Sequence, residues 1–117
     1  MDICNESVIL NTMKYKNTLQ KGSVRYIIFR EESIWYGVAL EFNIVESGDD
    51  PREVLVRLLE ATKGYLVSAK KVKARPQILN QQAEPEYESL WNKLEAKPRG
   101  RGIPYDVYTY GRQLIPA

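Results

Sequence analysis

Histidine is absent from this chain, and cysteine occurs once, as Cys4. Without histidine the commonest general base is missing, and with it go histidine-dependent triads and histidine metal sites. A single cysteine closes no intramolecular disulfide, and Cys4 sits in a weakly patterned N-terminus with no visible activating partner, so a nucleophilic role is not expected. Such cysteine usage fits a reducing compartment, and the cytoplasm is the expected location. Long apolar runs are missing as well: no stretch approaches the roughly 20 residues of a membrane span. The opening MDICNESVILNTMKYK carries Asp2 and Glu6 where a secretory leader would be basic, so neither leader nor membrane contact is expected. An excess of one charge is lacking too. With 17 Lys and Arg against 15 Asp and Glu the net charge is +2, too weak to imply nucleic acid by itself.

What is present is the patterning of an ordinary folded domain. At 117 residues, with 44% apolar and 27% charged residues, the chain is expected to form a single domain over 1–117 that needs no disulfide or metal to hold it. The run VRYIIF (Val24 to Phe29) is dense in β-branched and aromatic residues and stops at Arg30-Glu31-Glu32-Ser33, which predicts a strand and a turn. IWYGVALEF (Ile34 to Phe42) alternates. Tyr36, Val38, Leu40 and Phe42 share one side, expected to be the core face, while Trp35, Gly37, Ala39 and Glu41 share the other. The small Gly37 and Ala39 allow another backbone or a large side chain to approach that second side. A third short strand fits Ile44 to Glu46, giving an antiparallel meander.

The period then changes to that of a helix. Asp50 is a good N-cap, Pro51 suits the first helical position, and Glu53 completes a capping-box-like spacing. Val54, Leu55, Leu58, Leu59, Thr62, Tyr65, Leu66 and Ala69 then recur every three or four residues, a stripe that should pack on the sheet. Gly64 interrupts it, at about 1 kcal/mol relative to alanine; the spacing allows either a close helix–sheet contact or a merely tolerated glycine. Lys70, Lys71, Lys73 and Arg75 suit the negative end of the helix, and Arg75-Pro76 should stop it. Beyond Pro76, PQILNQQAEP reads as a polar connector. Pro85 to Ala96 reads as a short helix with Tyr87, Leu90, Trp91 and Leu94 on one face, too short to be stable undocked. KPRGRGIP reads as a basic turn, and YDVYTYGRQLIPA as a strand whose partner, own sheet or other protein, the sequence leaves open. The expected fold is α+β: a three- to four-stranded antiparallel sheet with one main helix on one face, a βββα core over 22–72, and a helical and extended appendage over 76–117.

Between Tyr26 and Leu66 the chain resembles the HicB-like antitoxin family. The likeness rests on Trp35 or Tyr36 early in the second strand, Leu40-Glu41 near its end, Val45 in the third strand, Gly48 and Asp50 ahead of the helix, then Glu53, Leu58 and Tyr65-Leu66. It implies a partial ribonuclease-H-like βββα layer that forms a dimer and masks a HicA-type messenger-RNA-cleaving toxin. DNA binding in that family belongs to a separate C-terminal element; here the chain beyond Pro76 has neither a strand followed by two helices nor two consecutive helices, so DNA binding is not expected.

Candidate chemistry is otherwise sparse. Glu31, Glu32, Glu46, Asp49 and Asp50 fall at strand ends, turns and caps, where solvation or capping explains them, so no metal or other cofactor is expected. Two features suit binding. Trp35 with Gly37 and Ala39, together with Tyr105, Tyr108 and Tyr110 of the tail, either contact a partner or cover the chain's own core. Lys70, Lys71, Lys73 and Arg75, with Lys97, Arg99 and Arg101, either contact phosphates or form a solvated helix end and turn. The expected function is thus non-catalytic protein binding by a self-associating, antitoxin-type protein, the alternative being a nucleic-acid-binding accessory protein that uses segments 70–75 and 97–101.

Overall fold

The computed structural model describes residues 16–96 and 106–115. Four strands form one antiparallel sheet: β1 (Gly22–Glu31), β2 (Ile34–Ala39), β3 (Ile44–Gly48) and β4 (Asp106–Ile115), in the order β3-β2-β1-β4. The first three strands make the expected meander. β1 and β2 meet through a two-residue turn in which Glu32 takes a left-handed conformation at φ 59. Between β2 and β3 a 3-10 turn, Leu40–Phe42, and the left-handed Asn43 break the alternation. The tail joins its own sheet, because β4 pairs along almost all of β1, from Gly22 opposite Ile115 to Arg30 opposite Asp106.

Two helices cover the sheet, one on each face. Helix α1 (Pro51–Lys71) begins where the cap residues specify it: the Asp50 side chain accepts from the Arg52 amide at 3.1 Å, and Pro51 occupies the first turn. Its buried stripe is Val54, Leu58, Thr62, Leu66 and Ala69. These pack with Val24, Ile28, Ala39, Phe42 and Ile115, and with Leu79 from a second 3-10 turn, Pro76–Leu79. Helix α2 (Pro85–Ala96) buries Leu90, Trp91 and Leu94 with Ile27, Phe29, Val38 and Leu40 on the opposite face. Docking gives this 12-residue helix the stability that so short a segment lacks alone.

The face assignment expected for β2 needs correction. Both of its sides are core: Val38 and Leu40 lie under α2, whereas Gly37 and Ala39 lie under α1. Phe42, expected beside Leu40, belongs to the α1 side, because the 3-10 turn rotates it away from strand alternation. A Cβ on Gly37 would meet Ile28 Cδ1 and Val54 Cγ1, each at 2.9 Å. The small residues therefore admit the chain's own helix.

Gly64 has the plainer explanation: it is exposed, and a Cβ there would meet nothing within 4 Å. Gly64→Ala should raise stability by about 0.5–1 kcal/mol. Gly37→Val should lower it by about 1–3 kcal/mol through overpacking. Urea unfolding midpoints of the two variants, moving in opposite directions, check both.

Candidate functional site

The predicted aromatic residues divide between the two faces and the rim. Opposite Ile28 and Phe29 the register of β4 slips by one residue, leaving Tyr108 as a bulge between Val107 and Thr109. Tyr108 meets Trp35 edge-on, their ring centroids 6.2 Å apart. The Arg30 guanidinium lies 5.5 Å from the Trp35 centroid and pairs with Asp106. These four residues form an aromatic and charged corner where β1, β2 and β4 meet, with Tyr108 45% exposed. Tyr110 points the other way, edge-on to Trp91 at 5.5 Å, and serves the α2 core. Gly37 and Ala39 are buried beneath α1, so of the trio on that side of β2 only Trp35 reaches the rim. Tyr105, Lys97, Arg99 and Arg101 lie outside the described residues. Lys70, Lys71, Lys73 and Arg75 are exposed and make no ion pair among the described residues.

The outer edge of β4 adjoins this corner. β4 is the end strand of the sheet, and from Thr109 to Ile115 its pairing with β1 is regular. Its other edge therefore offers N–H and C=O groups in strand geometry. Leu114 on this strand is 70% exposed. β3, the opposite edge, is half as long, and its Val45 is 50% exposed.

A second cluster, not anticipated from sequence, centres on Arg25. The β1–β2 ladder ends at Tyr26 opposite Ala39, because the chain then turns through Leu40–Phe42. The Arg25 amide thereby loses its strand partner and donates instead to Glu41 Oε1 at 2.8 Å, while the Arg25 Nε donates to Glu41 Oε2 at 2.6 Å. The two terminal nitrogens donate to the two oxygens of Glu88 on α2, at 2.9 and 2.7 Å. Burial pushes the Arg25 guanidinium down, but the hydrogen bonds and charges of Glu88 and Glu41 outweigh it and raise its pKa. Arg25 thus clamps the end of β2 and α2 onto β1. The available signal was Arg25 itself, the lone cation within VRYIIF.

A further polar seam closes the sheet end. Asn17, 2% exposed, donates from its side chain to Leu79 O at 2.9 Å and accepts from the Ser23 amide at 2.8 Å. Its amide donates to Asn80 Oδ1. Gln81 ties the same turn to α1 through the Tyr65 hydroxyl at 2.7 Å and to Glu41 through a backbone bond at 2.8 Å. What reads as a polar connector is therefore a fixed bridge between the two cores.

Among the described residues no group of three or more acidic, cysteine or histidine side chains is placed to hold a metal ion. Asp50 caps α1, and Glu31, Glu32 and Asp49 are exposed. No helix among the described residues is long and apolar enough to cross a membrane. Comparison with models of known families, with curated proteins and with solved structures returns no match.

Two predictions follow from the side chains of the α2 interface. Arg25→Met leaves two carboxylates without their partner and should cost about 2 kcal/mol, less than a fully buried pair because Glu88 is partly solvated; Arg25→Met with Glu88→Gln should recover part of that loss in denaturant titrations. Burial pushes the Tyr87 hydroxyl up, and the charges of Glu86, Glu84 and Glu31 push the same way. Because its pKa is raised in the folded state, the associated stability is intact below the ordinary tyrosine value near 10 and is lost as pH rises through the folded value. Tyr87→Phe should therefore retain more of its neutral-pH stability than the wild type above about pH 10, as read from urea midpoints at neutral and alkaline pH.

Proposed function

We propose that this chain is a non-catalytic protein-binding module of HicB-like, antitoxin type, cytoplasmic, which pairs with itself and masks a HicA-type RNA-cleaving toxin. The observation that carries this reading is the outer edge of β4. Helices occupy both sheet faces, so an extended partner has the rim to dock on, and β4 is the longer of the two end strands. Edge strands pair with other chains unless guarded by proline, lysine or a twist. β4 contains no proline or lysine between Asp106 and Ile115, and its bulge lies at the Tyr108 end, away from the regular stretch. The exposed Leu114 and Tyr108 supply apolar and aromatic area for such an interface. The resemblance over Tyr26 to Leu66 supplies the partner class: a second copy and a small toxin.

The exposed cations at the end of α1 support the alternative, nucleic-acid binding, and the two readings respond oppositely to salt. Light scattering on nucleic-acid-free protein should give a dimer mass that persists from low to high salt. Tyr108→Lys should shift that mass toward the monomer without altering the circular dichroism spectrum, whereas Lys70→Gln, Lys71→Gln and Lys73→Gln together should leave it unchanged. A monomer at all salt concentrations, or a species that carries nucleic acid and dissociates as salt rises, would overturn the proposal.

A further inference from the structure

Arg25 and Arg112 stand directly opposite each other on β1 and β4, and both guanidinium groups lie on the Trp91 ring, 5.6 and 5.2 Å from its centroid. Like charges facing one another across antiparallel strands destabilise the pair. Arg25 is compensated by Glu41 and Glu88, which between them take its amide and all three guanidinium nitrogens. Arg112 is not compensated: among the described residues it meets the face of Trp91 and no carboxylate.

Beside this pair opens a cleft of about 210 Å³, lined by Lys16, Asn17, Ser23, Arg25, Glu41, Asn80 and Arg112. Three cations and one carboxylate line it, and both oxygens of that carboxylate, Glu41, are already engaged by Arg25. Asn17 and Asn80 are satisfied by each other and by the Leu79 and Pro76 carbonyls. The donors left over are the Arg112 guanidinium, the Lys16 ammonium and the Ser23 hydroxyl, which has no hydrogen-bond partner among the described residues. The cleft is smaller than the roughly 300–1,000 Å³ of pockets for drug-sized ligands, which limits an occupant to a small group. An arginine fork with a hydroxyl and an ammonium is the donor set that phosphate oxygens favour.

We propose that this cleft is an oxyanion site that takes the phosphate group of a small molecule, with Arg112 and Lys16 supplying the charge and Ser23 a hydrogen bond. Occupation would supply the negative charge that Arg112 lacks and so tie β4 more firmly to β1. The site is independent of the β4 edge and of any partner bound there.

The test is a titration of the full-length protein with inorganic phosphate at neutral pH and fixed ionic strength, followed by amide nuclear magnetic resonance, with acetate as a parallel arm. Saturable shifts confined to the Ser23–Tyr26 and Arg112–Gln113 amides are expected with phosphate. Arg112→Gln should weaken the affinity about tenfold or more, as expected for loss of a charge-assisted contact; Arg112→Lys should restore part of it, and Lys63→Gln on the exposed face of α1 should change nothing. If Arg112→Gln does not fold, Ser23→Ala carries the same comparison with a smaller loss. Shifts that stay linear, spread to Lys70–Arg75, saturate equally with acetate, or persist in Arg112→Gln would overturn the assignment.

Discussion

One strand with both faces buried is the constraint on which the rest depends. On β1, Val24 and Ile28 face α1, while Ile27 and Phe29 face α2, and each is at most 2% exposed. Fully burying side chains of this kind contributes roughly 1.5–3 kcal/mol each, and neither half of the set is buried without its helix. The chain therefore needs a second cover and neighbours on both sides of β1, and α2 and β4 supply them. A three-strand layer with α1 alone would leave Ile27, Phe29, Val38 and Leu40 in water.

Holding two helices on opposite faces of a small sheet requires links around its ends, and polar residues provide them. Arg25 joins β1 to the 3-10 turn through Glu41 and to α2 through Glu88. Asn17, Asn80 and Gln81 fix the chain where it passes from the α1 side to the α2 side. The interactions are directional, so they set the angle at which the apolar faces meet; the apolar faces in turn lower the local dielectric and strengthen them. The Leu40-Glu41 pair, prominent in the resemblance to HicB-like proteins, has a structural task here: Leu40 is fully buried and Glu41 replaces a missing ladder partner.

With both faces covered, the surface left for association is the rim. This concentrates the binding candidates in β4, whose outer edge carries unpaired backbone groups next to Trp35 and Tyr108. It also separates them from the cationic cleft beside Arg112, which opens toward the other end of the same strand. β4 thus closes the α2 core through Tyr110 and Val107 while presenting its free edge and Leu114 outward.

Local patterns were legible because local physics produces them. The cap at Asp50-Pro51, the stripe from Val54 to Ala69 and the α2 face of Tyr87, Leu90, Trp91 and Leu94 are all set by helical periodicity and by which residues satisfy free amides. The strands of the meander follow from β-branched runs and short turns. Alternation, however, states which residues share a side of a strand and not what covers that side, so the roles of Gly37, Ala39 and Phe42 awaited the packing of α1 against β2. The Arg25 cluster joins residues 16 and 63 positions apart, a separation at which no periodicity operates. The sequence by itself determined the elements and their apolar faces; only the tertiary structure decided that both faces of the sheet are core, that the tail is its fourth strand, and that a bulge turns Tyr108 to the rim, because each of these depends on which segments meet across the sheet.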